Sequence, residues 1–268
     1  MYQIFPLTIV SALFFTGCST TATPGQSVAE QNSQRQLLWS DEFNGNQLDT
    51  TNWNILLGDG CPNLCGWGNN ERQIYTADNH RLEDGNLIIT VRKEGDTYTS
   101  TRLSTKDKHA FKYGRIEARA NLPVGEGLWP AFWMLGQNID EVGWPLAGEI
   151  DILEYVGRAP GEIFTTLHTA ANHGGNATTR TFPIPNIEEG YHVFAVEWTA
   201  DWMTFHVDDQ LVHTFDPAER TEEVWPFDQP FFILLNVAIG GNFGGPEVDD
   251  SVFPQEYLVD YVRVYAPE

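Results

Sequence analysis

The chain has 268 residues, enough for one large domain or two small ones. It carries 15 Lys and Arg against 37 Asp and Glu, a formal net charge of −22, and a field of that sign repels nucleic acid, anionic lipid and polyanionic substrates. Nine Trp, nine Tyr and sixteen Phe are more than a core needs; flat apolar faces suit a surface that stacks on neutral rings such as sugars.

Residues 4–15 form an apolar run of signal-peptide length, too short to span a bilayer. It ends in Phe15-Thr16-Gly17-Cys18-Ser19, where a small residue before Cys resembles the cleavage box of bacterial lipoproteins. Phe15 stands where Leu is more usual, and no Lys or Arg precedes the run. The alternative is an ordinary secretory signal, and under either reading the mature protein leaves the cytoplasm. Residues 1–17 are therefore expected to be a lipoprotein signal peptide, with Cys18 as the lipid anchor and the only link to a membrane. Residues 18–36 hold almost no large apolar side chains and read as a flexible tether. Residues 37–268 are expected to fold as one domain, a monomer in the bacterial cell envelope (outer membrane or periplasm) or else secreted. Cys61 and Cys65 enclose only three residues, and an oxidising compartment would allow a local disulfide. Without a nearby His or further Cys, the pair is a poor zinc site.

From Leu37 onward the pattern is short β-branched and aromatic runs separated by turn residues, as at Asp84-Gly85-Asn86 and the glycine cluster 240–245. The runs predict strands at 37–43, 86–93, 98–105, 113–121, 129–135, 149–156, 163–169, 191–198, 202–207, 211–215, 231–237 and 257–265. A dozen strands with few helices indicate an all-β fold, a sandwich or jelly roll of two antiparallel sheets. In the strand at 129–135, Trp129, Ala131, Trp133 and Leu135 share one face and Phe132 and Met134 the other. Both faces are apolar, so one is expected to front a ligand; the alternative is that both Trp are core. In the last strand, alternation puts Asp260 on the face of Leu258, Val262 and Val264. A buried acid needs a partner, and a calcium ion, an Arg or exposure at a sheet edge would each supply one.

The strand at 149–156 carries three acids, Glu149, Asp151 and Glu154, at i, i+2 and i+5. Glu149 and Asp151 share a face opposite Ile150 and Ile152, whereas Glu154 would point the other way unless a β-bulge at Ile152-Leu153 absorbs one residue. With the bulge all three line one side. Two carboxyls flanking a bond are the minimum equipment for glycoside hydrolysis. A solvated strand face or a divalent-ion site would use the same residues. In the hydrolytic reading Glu149 is the nucleophile and Glu154 the acid/base. Asp151 orients the nucleophile and adds negative field that keeps Glu154 protonated.

Six blocks extend this reading: Trp39-Ser40-Asp41-Glu42-Phe43, Trp67-Gly68-Asn69-Asn70-Glu71, Tyr113-Gly114-Arg115-Ile116-Glu117-Ala118-Arg119, the 127–135 segment, the acidic strand, and the 259–265 segment. Together they resemble glycoside hydrolase family 16, and within it the bacterial endo-1,3-β-glucanases, over nearly the whole domain. The resemblance implies a β-jelly roll with a concave cleft and endo-acting, retaining cleavage of neutral β-glucan by the three acids, with no cofactor for catalysis. It also implies that Trp129 and Trp133 line the cleft, and that Asn70, Arg102 and His168 hydrogen-bond sugar or catalytic groups. A structural calcium ion is implied at Glu42, the Gly85 carbonyl and Asp260. The E-x-D-x-x-E spacing is similar to the bulged laminarinase type rather than to lichenases. Mixed-linkage β-glucan, an algal galactan such as agar, or glucan binding without catalysis are the alternatives. Arg72 departs from the family's more usual Leu.

Overall fold

Alternation of apolar and polar side chains sorts this chain into two facing sheets, and the sequence-predicted strands are all present. The structure, a computed structural model, describes Met1, residues 35–208 and residues 210–267; the expected signal peptide, Cys18 and most of the tether lie outside the described residues. In chain order the strands are β1 (Leu37–Asp41), β2 (Asn54–Leu56), β3 (Gln73–Tyr75), β4 (His80–Glu83), β5 (Asn86–Glu94), β6 (Thr97–Ser100), β7 (Arg102–Ser104) and β8 (Gly114–Asn121). They continue as β9 (Leu128–Gly136), β10 (Glu149–Glu154), β11 (Glu162–His168), β12 (Thr178–Pro183), β13 (His192–Trp198), β14 (Met203–Val207), β15 (Gln210–Phe215), β16 (Phe231–Ile239) and β17 (Gln255–Tyr265).

One sheet runs β15-β14-β13-β8-β17-β5-β6-β3, with β1 added on β17 and β4 on β5; the other runs β12-β11-β10-β9-β16-β7-β2. Pairing is antiparallel except between β3 and β6. The predicted strand at 98–105 is two strands. It breaks at the buried Thr101, where the chain crosses from one sheet to the other. The strands that sequence reading missed are β2, β3, β4 and β12, which are three to six residues long. The longest of them, Thr178–Pro183, has Phe182 as its one large apolar side chain, so no period-two signal marks it.

The core fills the space between the sheets. From the second sheet Leu103, Phe132, Met134, Ile150, Leu167, Ile233 and Leu235 point inward; from the first come Leu87, Ile89, Ile116, Phe194, Val196 and Val262. By alternation, Trp129, Trp133, Asn236, Arg102 and His168 occupy the opposite face of the second sheet. That face is where the predicted site residues collect.

Two details differ from the sequence reading. A register shift between Val259 and Tyr261 inserts a bulge at Asp260. Tyr257, Val259, Val262 and Val264 therefore point to the core, and Asp260 turns outward to Arg119, whose Nη1 donates to Oδ2 at 2.6 Å. The Arg solution holds, but Asp260 does not share the face of Val262 and Val264. The fold also takes in the last residues of the expected tether: Arg35 donates to both carboxylate oxygens of Glu197 at 3.0 Å, and the Gln36 carbonyl accepts from the Ala266 N–H. A buried guanidinium matched to a carboxylate is worth ordering two more residues.

Candidate active site

Two ladders place the acids. β10 pairs with β9 as Glu149↔Leu135, Ile150↔Met134 and Asp151↔Trp133, then slips to Leu153↔Phe132 and Glu154↔Ala131. Its pairing with β11 slips at the same place, from Asp151↔Thr166 to Glu154↔Phe164. Ile152 and Leu153 both lie in the core cluster, which is how the expected bulge leaves Glu154 on the face of Glu149 and Asp151. Gly148, at φ +77°, turns the chain into this strand; a Cβ there would lie 2.8 Å from Pro226 Cγ, so glycine is required.

The register arranges the cleft floor in ranks across β7, β16, β9, β10 and β11. One rank reads Phe232, Leu135, Glu149, His168. The next reads Ser104, Leu234, Trp133, Asp151, Thr166, and the third Arg102, Asn236, Ala131, Glu154, Phe164. Each acid thus has defined neighbours.

The two glutamates are held differently. Glu149 Oε2 accepts from Trp144 Nε1 at 2.9 Å. An indole N–H only donates, so this oxygen is held as an acceptor and Oε1 is left for chemistry. Glu154 Oε1 accepts from Trp129 Nε1 at 3.1 Å, while Oε2 meets the Thr166 hydroxyl at 3.0 Å. Thr166 Oγ1 also lies 3.2 Å from Thr179 Oγ1. A hydroxyl donates and accepts, so Thr166 can donate to ionised Glu154 or, turned toward Thr179, accept from protonated Glu154. That suits Glu154 to carry a transferable proton.

Asp151 lies between them, and its Oδ2 is buried with no hydrogen-bond partner among the described residues. His168 Nε2 is 3.4 Å from that oxygen and 3.8 Å from Glu149 Oε1. The His168 Nδ1 accepts from the Gly174 N–H at 3.2 Å, which assigns the ring proton to Nε2, facing the acids.

Burial dominates the electrostatics. It pushes Glu149 up to about 8, with the Asp151 charge adding to it and His168 and the Trp144 hydrogen bond opposing. Glu154 is pushed up to about 7 by burial, opposed by its Thr166 hydrogen bond. Asp151 is raised well above the usual carboxylate range by burial and by the Glu154 charge. Three carboxyls this close cannot all ionise. His168 Nε2 and the Trp144 N–H both favour the Glu149 anion, whereas burial and the Glu154 charge both favour the protonated form of Asp151.

The walls are aromatic. Trp133 Nε1 donates to Asn236 Oδ1 at 2.7 Å, Asn236 donates to Tyr75 Oη, and Tyr75 donates to Glu71, a carboxyl raised by burial. Arg102 is sandwiched between Trp67 and Trp133, at 4.5 and 4.8 Å from the ring centroids, with its buried Nε unpartnered among the described residues. Trp129 meets Phe243 edge-on at 5.4 Å. Asn70 sits on the loop facing that glycine cluster, donating to Asn242 Oδ1 at 2.8 Å, and touches none of the acids through its hydrogen bonds. Sequence reading missed Trp144, Thr166, Asn236 and Phe243; only the aromatic-rich composition pointed toward two of them, Trp144 and Phe243.

The calcium set lies on the other sheet. The pairings Asp41↔Val262 and Leu87↔Val259 bring the segments of Glu42, Gly85 and Asp260 together at the middle of β17. Arg263 donates to both oxygens of Glu42, at 2.9 and 2.7 Å, holding it below its ordinary value. With Arg119 on Asp260 as well, both acids of the expected calcium set are engaged by arginines.

Comparison with known proteins matches this architecture. The chain is 42% identical to a beta-glucanase of Rhodothermus marinus over 93% of this chain and 90% of that protein. It is 42% identical to a glucan endo-1,3-beta-glucosidase of Cryptopygus antarcticus over 84% of this chain and 90% of the relative. The crystal structure of a laminarinase from Flavobacterium sp. UMI-01 superposes with a TM-score of 0.84 at 60% identity, covering 86% of this chain and all of that one. Residues 68–262 match the model of glycosyl hydrolases family 16, and the chain belongs to that family.

Proposed function

We propose that this protein is an endo-acting, retaining hydrolase of β-1,3-glucan. The observation that carries the reading is the bulge that brings Glu149 and Glu154 to one face, flanking Asp151, at the floor of a Trp-lined cleft. In the first step Glu149 Oε1 attacks the anomeric carbon while Glu154 gives its proton to the departing glycosidic oxygen. In the second, ionised Glu154 takes a proton from water, which attacks the same carbon and frees Glu149. Asp151, between them, orients Glu149 through both steps. Trp129 and Trp133 stack on the sugars, and Arg102 and His168 hydrogen-bond sugar or catalytic groups. No cofactor enters these steps.

The apolar run at 4–15 and Thr16-Gly17-Cys18 support an envelope lipoprotein anchored at Cys18, its 37–268 domain acting as a monomer. The mass of the mature N-terminus tests the anchor: an unmodified Cys18 would remove it. Substrate class is tested by reducing-sugar release from laminarin, lichenan and agarose. The expected order is laminarin first; activity on agarose alone would overturn the assignment.

A further inference from the structure

Trp144 lies outside every ladder yet reaches the site. Backbone hydrogen bonds from Ala147 to Gly143 and from Gly148 to Pro145, both 3.0 Å, close the turn that delivers the chain into Glu149. The indole is 47% exposed, with its polar edge turned inward onto Glu149 Oε2. Two histidines brace the ring, His168 at 5.6 Å and His173 edge-on at 5.4 Å.

We propose that Trp144 is a positioning residue for the nucleophile: its N–H fixes the rotation of the Glu149 carboxylate so that Oε1 faces the anomeric carbon, and His173 holds the indole in place. The inference rests on the proposed hydrolysis and adds a residue to it. Glu149 faces Asp151 and Glu154, which disfavour its charge, and His168 and Arg102, which favour it. His173 touches it only through the indole. Among these neighbours Trp144 is the donor at hydrogen-bonding distance, and a donor that cannot accept favours the anion alone.

The test is Trp144→Phe in the full chain, with kcat and KM on laminarin measured across pH. Phe keeps a ring at the cleft mouth and removes the N–H. A lost hydrogen bond to a charged group predicts a fall in kcat of about tenfold or more. The acidic limb of kcat/KM moves to higher pH, because ionised Glu149 has lost a donor. His173→Ala moves the same limb the same way by less, and decides the matter if Trp144→Phe does not fold. An acidic limb that stays in place, with any loss confined to KM, overturns the proposal. A wild-type chain inactive on every β-glucan overturns the hydrolytic reading instead.

Discussion

An indole N–H serves each of the two proposed catalytic glutamates, and the second oxygen separates their roles. Glu149 keeps Oε1 beside a histidine N–H, while Glu154 Oε2 accepts from the Thr166 hydroxyl. Both carboxyls are raised toward neutrality, so activity should follow a bell set by the pair rather than by either residue. Rate falls at low pH as the nucleophile gains a proton and at high pH as the acid loses one. The kcat/KM profile is expected to peak near neutral pH, with both limbs well above the ordinary carboxylate range; limbs near pH 4 would contradict the burial argument. The same shifts predict a stability change. A carboxyl raised from 4.5 to about 8 costs the fold progressively more as pH rises through that window. Glu149→Gln removes that cost. It should abolish nearly all turnover, keep glucan binding, and raise Tm more at pH 8 than at pH 5; equal shifts at both would show that Glu149 is not strained by charge.

At the scale of elements, the bulge in β10 converts an acidic pattern into a site. It was legible beforehand because side-chain alternation is rigid: an i, i+5 pair cannot share a face of a regular strand. The strands built of β-branched and aromatic residues were legible for the same reason. Partners were not. Trp144 reaches Glu149 from a turn, and Thr166 reaches Glu154 from the neighbouring strand with Thr179 behind it, contacts that no local period encodes. Asp260 shows the opposite failure, since a bulge in β17 that nothing in the sequence required turned it outward. Positions such as Arg102 and His168 came from family resemblance alone. Deleting Ile152 tests the bulge directly. The acids would then stand at i, i+2 and i+4, and the ladder would run unbroken with Glu154 still on the cleft face. Hydrolysis that survives the deletion is expected, and a folded deletion variant that no longer cleaves laminarin would show that the extra residue does more than aim Glu154.

On the scale of the molecule, the two sheets divide labour. One carries the cleft; the other carries ion pairs such as Arg35–Glu197 and Arg263–Glu42 on its outer face. If calcium binds at Glu42, the Gly85 carbonyl and Asp260, EDTA should lower Tm without changing the pH profile; an unchanged Tm removes calcium from the fold's stability. The chain's −22 charge leaves a neutral polymer as the fitting substrate, since nothing need be attracted through its field. The central claim is double displacement by Glu149 and Glu154, and proton NMR of laminarin hydrolysis reads it directly. The first reducing ends to appear are expected in the β configuration, with the α anomer growing only by mutarotation; α ends formed first would mean inversion and contradict a covalent intermediate on Glu149.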